Sequence, residues 1–344
     1  MFLEQDILNI CKLYTIETVS VEFLGVSHNT VYKVNCGSPF ILRIVSPNHR
    51  SRDELVSEVD FLLFLNSQGA NVNRPIASLS KQMIIEQSIQ NEKYYIIAFS
   101  FVEGVSWRER SDDDCRLEHI GRQLGKIHNI STKYKPYNVM KRRSHSQSQH
   151  LTNGLNIFFK YNNSLYNCFI EFLKVLDCLD KNNYNYGLTH GDFLFSNYNI
   201  TSDNHVEIFD FDECEYSWYL SDIAVCIYYY LLGGNPSELS LKVNEAENSL
   251  TLFMTGYLQE NSLPLSELNH IDMFFKQRDY ILLSTILGQG KNEFTMWEKS
   301  FLEGALERTI NNKPFVNINI DKIVNRIEKS QHHNMSIIRI KNTR

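Results

Sequence analysis

Residues 188–200 read Leu-Thr-His-Gly-Asp-Phe-Leu-Phe-Ser-Asn-Tyr-Asn-Ile, and residues 207–212 read Glu-Ile-Phe-Asp-Phe-Asp. The first run holds His190-Gly191-Asp192, then four residues, then Asn197; Asp210 stands thirteen residues further on, with Asp212 just beyond it. Apolar residues flank both runs, so each reads as a short strand with polar groups at its end. A carboxylate such as Asp192 can orient an attacking hydroxyl and accept its proton. Asn197 and Asp210 offer an amide oxygen and a carboxylate, the hard oxygen ligands that Mg²⁺ prefers. A hydroxyl-orienting carboxylate and a divalent-metal pair are what phosphoryl transfer asks of a protein, because positioning and electrostatics carry most of that reaction. Either motif alone is a weak signal. In this order and at this spacing they point to a phosphoryl-transfer site.

The sequence upstream is β-rich. Residues 19–25, 30–36 and 39–45 are strand-like runs separated by Ser-His-Asn and Gly-Ser-Pro turn signals. Residues 53–66 carry Leu55, Val59, Leu62, Leu63 and Leu65 at helical spacing, and two further strands fit 82–87 and 93–99. Residues 99–105 read as a connector. From Asp112 onward the periodicity is helical: 112–129, 160–181, then 217–233, 237–260, 265–288 and 292–311. The polar stretch 131–155, centred on Lys-Arg-Arg-Ser-His, reads as a solvated loop, and the tail from 313 as mixed and basic. The expected architecture is α+β and bilobal. Residues 1–102 form a nucleotide-binding lobe with a hinge at 99–104. Residues 103–344 form a helical lobe with a catalytic loop at 188–200 and a metal segment at 207–213.

Composition narrows the partners. The 344 residues carry a formal net charge of −6 and 43% hydrophobic residues, an ordinary globular balance without a basic stripe for nucleic acid. Seven scattered Cys without a Cys-x-x-Cys pair read as reduced thiols, and no apolar run of membrane-spanning length is present. The acidic N-terminus lacks the basic start of a secretory leader. The expectation is a cytoplasmic protein whose partners are a nucleotide and a small hydroxyl-bearing acceptor, with no nucleic acid and no membrane.

The motifs resemble those of the aminoglycoside phosphotransferase/choline kinase family, whose fold is protein-kinase-like. Its His-Gly-Asp-x4-Asn bracket matches His190–Asn197, its Ile-Asp-[FLW]-[DEG] metal segment matches Phe209–Asp212, and its following Asp-[IL]-Ala matches Asp222-Ile223-Ala224. The likeness spans most of the chain in lobe order and is specific at 188–225.

The resemblance implies an O-phosphotransferase that uses ATP, or GTP, with Mg²⁺. Asp192 would be the catalytic base or hydroxyl orienter, and Asn197 and Asp210 the metal ligands. His190 would brace the loop. Asp212 would assist the metal or be solvated, and Asp222 would anchor the catalytic loop. On the nucleotide side Arg43 stands where the family carries Lys, with Glu58 as its partner. Ser27 and Asn29, in a loop with one Gly, would meet phosphate, and backbone groups of Ser100 and Val102 would meet the base. Glu213 and Glu215 could rim an acceptor pocket suited to an amine. Trp218 and Tyr219 read as core, and Phe274, Phe275, Arg278 and Trp297 lie on later helices within reach of such a pocket.

The expected acceptor is a small, amine-bearing molecule, plausibly an antibiotic inactivated by phosphorylation. Homoserine- or choline-type metabolite kinases and a bacterial stress-type protein kinase are alternatives in the same fold. A nucleotide-binding pseudokinase scaffold is the alternative outside catalysis.

Overall fold

The computed structural model describes the chain except residues 1, 18, 27, 107–114, 137–141, 202, 292 and 342–344, with backbone alone at 115 and 332–341. In chain order, the first elements are α1 (Glu4–Cys11), β1 (Ser20–Val26), β2 (Asn29–Asn35), β3 (Phe40–Val45), α2 (Arg52–Ser67), β4 (Pro75–Ile76), β5 (Ile85–Ile89), β6 (Glu92–Ser100) and β7 (Val105–Ser106). There follow α3 (Cys115–Ser131), α4 (Gln149–Tyr161), α5 (Asn163–Asp177), β8 (Tyr186–Thr189), β9 (Tyr198–Ile200), β10 (Val206–Ile208) and β11 (Glu215–Trp218). The last are α6 (Tyr219–Leu232), α7 (Val243–Tyr257), α8 (Ile271–Gly288), α9 (Met296–Ile310) and α10 (Ile320–Lys341).

The chain divides into two compact units. The first comprises Met1–Ser106, Lys133–Arg142 and Tyr198–Asp212. Its main sheet has the order β1-β2-β3-β6-β4, with β5 also paired to β6, and all these pairs are antiparallel. Alternation gives the sheet its apolar face: Tyr32, Val34, Leu42, Ile44, Ile96 and Ala98 bury against Ile7 and Ile10 of α1. The intervening β3 position, Arg43, is also buried and pairs in register with Val31 and Ile97. Helix α2 begins at a capping box in which Ser51 and Glu54 satisfy each other's backbone amides. A smaller sheet of order β10-β9-β7 ends at the acidic segment Asp210–Asp212.

The second unit comprises Trp107–Thr132, Arg143–Asn197 and Glu213–Arg344. A two-stranded antiparallel ribbon, β8 with β11, pairs Thr189 with Glu215 and Tyr186 with Trp218. It delivers one strand to the His-Gly-Asp loop and the other to α6. Helix α6 is buried along most of its length, with Tyr219, Ile223, Ala224 and Tyr228 almost without exposed surface. Helices α3 and α7 pack so closely that a Cβ on Gly256 would lie 1.8 Å from the Glu118 carbonyl oxygen. Only glycine allows that approach.

Two stretches differ from the sequence expectation. The segment read as loop through 155 and helix from 160 is instead helix α4, a break at Asn162, then α5. Leu151, Gly154 and Phe158 fall at helical spacing and bury, with Phe158 against Phe169 and Tyr280, and the Asn162 side chain caps α5 by accepting from the Leu165 amide. Abundant polar letters hid this narrow apolar stripe. The tail from 313 ends in a helix, α10, that buries Ile323 and Ile327.

Candidate active site

In the first unit, Arg43 on β3 meets Glu58 on α2 at 2.7 Å, both side chains buried. A second nitrogen of the same guanidinium lies 3.7 Å from Asp210 Oδ1. Burial alone would depress the Arg43 pKa, but Glu58, Asp212 and Asp210 together raise it, so the cation persists at any ordinary pH. Asp210 adopts φ +65°, a conformation that costs a non-glycine residue energy and is tolerated where the surroundings impose it. Its side chain is half exposed.

Asp212, two residues on, is buried and engaged. His49 Nε2 approaches Oδ2 at 2.8 Å, and Arg50 Nε donates to Oδ1 at 3.2 Å. Burial would raise this carboxyl, but the His49 bond and the charges of Arg43 and Arg50 outweigh it and hold it well below the usual range. The backbone carbonyls of Phe211 and Asp212 accept from Arg142, which also donates to the Glu54 carbonyl at 2.9 Å. Arg142 is buried. The basic run at 141–143 therefore contributes a structural arginine that its polar surroundings concealed.

The remaining nucleotide-side positions fall out unevenly. Asn29 opens β2, with a buried Oδ1 that finds no hydrogen-bond donor among the described residues. Ser27 lies outside the described residues. The Ser100 amide donates to the Arg74 carbonyl at 2.8 Å, and the Ser100 hydroxyl accepts from the Arg74 amide at the same distance. The Val102 carbonyl accepts from Asn199 at 3.1 Å.

In the second unit the His-Gly-Asp loop hangs from one buried carboxylate. Asp222, at the start of α6, accepts from the backbone amides of His190 at 2.6 Å and Gly191 at 2.8 Å, and from His128 Nε2 at 3.0 Å. Burial would raise the Asp222 carboxyl, but the hydrogen bonds it accepts from His128 and from the His190 amide hold it down. Burial pushes the His128 pKa down, so the ring is neutral. Its Nε2 then carries the proton given to Asp222, and its Nδ1 accepts from the Tyr257 hydroxyl at 2.8 Å. Asn261 donates to that same hydroxyl at 2.9 Å. The chain of donors is closed, as a buried polar network must be to stabilise.

Gly191 is required by the loop. Its φ is +84°, and a Cβ there would sit 2.1 Å from the Glu213 carbonyl oxygen. His190 is buried, and its Nδ1 accepts the Asp192 backbone amide at 3.3 Å, so the ring braces the turn. Asn197 Nδ2 donates to the Asp192 carbonyl at 2.8 Å and lies 3.4 Å from Asp192 Oδ2. That leaves Asn197 Oδ1 as its outward oxygen, with Ser196 Oγ donating to it at 3.1 Å. Asp192 Oδ1 accepts from Arg278 on α8 at 3.0 Å.

Gly191, Glu213, Glu215, Ser217, Gln277 and Arg278 are among the residues that line one recess. Arg143 pairs with Glu213 and comes within 3.6 Å of Glu215, and His150 stands 3.4 Å from Glu213. Burial pushes the Glu215 carboxyl up to about 7 despite the Arg143 charge. Of the later-helix candidates, Phe274 and Arg278 line this recess, Phe275 is core against Phe315, and Trp297 packs on Phe301. Trp218 and Tyr219 are core, as their spacing implied. Sequence reasoning passed over Arg143, whose partner Glu213 lies 70 residues away, and Gln277, which lines the recess.

The fold is protein-kinase-like, and the chain is a phosphotransferase with an alcohol group as acceptor. Residues 21–246 match the model of the phosphotransferase enzyme family, and the chain belongs to that family, in its small-molecule kinase branch. Amicoumacin kinase of Bacillus subtilis (strain 168) is 26% identical over 332 residues, spanning 93% of this chain and 96% of that protein. Among solved structures, amicoumacin kinase hAmiN in complex with AMP-PNP, Ca²⁺ and Ami superposes with TM-score 0.82 at 20% identity, covering 94% of this chain and 97% of that one. A microcompartment-associated aminopropanol kinase superposes with TM-score 0.69 at 18% identity, covering 90% and 98%. Among the described residues no helix is long and apolar enough to cross a membrane.

Proposed function

We propose that the protein transfers the γ-phosphoryl of ATP to a hydroxyl of a small, amine-bearing acceptor, an antibiotic of the amicoumacin type being the first candidate. The observation that carries this reading is the Asp192–Asn197 turn. It is anchored by Asp222, presents a partly exposed carboxylate, and adjoins, through Gly191 and the Asp192 partner Arg278, a recess carrying Glu213 and Glu215. Asp192 would hold the acceptor hydroxyl and take its proton as the oxygen attacks phosphorus; ADP leaves. The named relatives, an amicoumacin kinase and an aminopropanol kinase, support an acceptor that pairs a hydroxyl with an amine.

Arg43, fixed by Glu58, would hold nucleotide phosphate with its planar fork in place of the family's Lys. Asn197 Oδ1 and the Asp210 carboxylate are each a hard oxygen donor of the kind a divalent ion takes, the Asn197 amide nitrogen being already tied to Asp192. When bound, that ion would neutralise charge on the phosphates. The test is acceptor-stimulated ADP release with ATP or GTP and Mg²⁺ across amicoumacin-type antibiotics, aminoglycosides, amino alcohols, homoserine and choline. Release that needs such an acceptor and is lost in Asp192→Asn supports the reading. Release driven only by protein substrates, or retained in Asp192→Asn, overturns it.

A further inference from the structure

Arg278 is an unusual group to find at the head of an acceptor recess that otherwise carries carboxylates. It sits on α8, is almost wholly buried, and lines the recess beside Gln277. One nitrogen, Nη2, does all of its bonding: it donates to Asp192 Oδ1 at 3.0 Å and to the Tyr229 hydroxyl at 3.0 Å. The Tyr229 ring lies 5.1 Å from the guanidinium carbon. Nε is buried with no acceptor, and Nη1 has none among the described residues. A guanidinium has five N–H donors in a fixed fork, so this cation keeps donors that the described residues do not satisfy, Nη1 being one not enclosed by the protein. Buried donors left unpaired are costly, and a buried cation more so.

The charges around it say what kind of oxygen completes the fork. Arg278 is already neutralised by Asp192, and Glu213 by Arg143. Glu215 remains, close to Arg143 but beyond hydrogen-bonding distance. A carboxylate placed on Arg278 would face Asp192 and be repelled. A neutral carbonyl oxygen would not. An ammonium suits the Glu213–Glu215 side of the recess, where two carboxylates share the Arg143 charge.

We infer that Arg278 is a specificity-determining residue that donates to a neutral carbonyl oxygen next to the hydroxyl being phosphorylated, while its other edge orients Asp192. The acceptor class is then a hydroxylated amine carrying a neutral carbonyl, such as an amide, in preference to a plain amino alcohol or a free acid. This rests on the reading of Asp192 as the group that holds the acceptor hydroxyl. It also makes acceptor recognition and base orientation two functions of one side chain.

Three acceptors that share an amine and a secondary hydroxyl test it: 3-amino-2-hydroxypropanamide, 1-amino-2-propanol and 3-amino-2-hydroxypropanoate. With the wild-type enzyme, ATP and Mg²⁺, kcat/KM for the amide is expected to exceed the other two by roughly tenfold to a hundredfold, as for one hydrogen bond to a charged donor. Arg278→Lys keeps the charge but not the fork. It is expected to lower turnover of all three and bring the amide-to-amino-alcohol ratio close to one, chiefly through the KM of the amide. The wild-type ratio needs no variant and stands even if Arg278→Lys fails to fold. A wild-type preference for the amino alcohol or the acid overturns the inference, as does an amide preference that survives in Arg278→Lys. Turnover confined to amines without a neighbouring carbonyl also overturns it and leaves the kinase assignment standing. ADP release with no hydroxylated acceptor of any kind overturns the kinase assignment itself.

Discussion

Glu215 offers a direct measurement of what the recess costs the protein. Its carboxyl is pushed from an ordinary 4.5 up to about 7, mainly by burial. Below pH 4.5 the group is protonated in folded and unfolded chains alike and costs nothing. As pH rises from there toward 7, the unfolded chain ionises freely while the folded one holds its proton, so stability falls. Above 7 the folded protein carries a buried carboxylate. The gap corresponds to about 3 kcal/mol at 1.36 kcal/mol per pH unit. Glu215→Gln keeps the shape and removes the titration. The variant should match wild type near pH 4.5 and gain on it steadily, reaching a lead of about 3 kcal/mol by pH 8. For a unit of this size that is roughly 6–12 °C in melting temperature. Paired thermal melts at half-unit pH intervals measure it, because groups common to both proteins cancel in the difference. A difference independent of pH, or a wild type that gains on the variant as pH rises, would refute the reasoning. An amine bound beside Glu215 should pull its carboxyl down and release a proton, which calorimetry in buffers of different ionisation enthalpy would detect.

Other residues carry sharper losses. Asp222→Ala strands the His190 and Gly191 amides and His128. It should cost about 3–5 kcal/mol in denaturant unfolding, and Asp222→Asn distinctly less; equal losses would show that the charge, not the acceptor oxygens, matters. Glu58→Ala leaves Arg43 buried without its main partner and should also lose about 3–5 kcal/mol. The pair Arg43→Met with Glu58→Leu should recover most of that stability while nucleotide KM stays high; a double variant as unstable as the single would contradict the assignment of that loss to an unpaired buried cation. Gly191→Ala drives a Cβ into the Glu213 carbonyl at 2.1 Å. It should abolish turnover with little change in nucleotide affinity, and near-normal turnover would contradict the tight turn.

What the sequence revealed of the fold follows from periodicity. The β-rich runs at 19–25, 30–36, 39–45, 82–87 and 93–99 became β1–β3, β5 and β6 within a residue or two at most ends, because β-branched and aromatic residues recur along them between turn residues. Helix α4 was hidden, since its buried stripe amounts to Leu151, Gly154 and Phe158 among polar letters. At the site, residues close in sequence were readable: His190, Asp192, Asn197 and Asp222 share one local turn and its anchor. Arg278 and Tyr229 could be noted only as polar or aromatic positions on later helices. Nothing in a linear pattern announces that residues 86 apart will share a hydrogen bond. Arg142 and Arg143 were obscured for the opposite reason. A basic cluster in a polar stretch has the composition of solvated surface, and only the folded chain shows their acceptors on the 211–213 segment.

The two acids of the 210–212 segment show how burial divides labour between residues that look alike in sequence. Asp210 and Asp212 are separated by one phenylalanine, and the motif's preference for Asp210 as a metal ligand carries no physical reason in the letters alone. Phe211 is wholly buried, against Phe61, and pins the segment between them. Asp212 falls inside, where His49 and Arg50 occupy one oxygen each and Arg142 holds its carbonyl. A carboxylate held that far below its usual range gives up its partners only at high cost, so its role is to fasten the segment. Asp210 is thrown into the left-handed region by the same anchoring and keeps a half-exposed carboxylate near the buried Arg43. Backbone strain of about 1–3 kcal/mol is tolerated where surrounding contacts impose it. Here the Phe211 and Asp212 contacts impose it, and they leave Asp210 as the acid of this pair suited to a phosphate-bound cation.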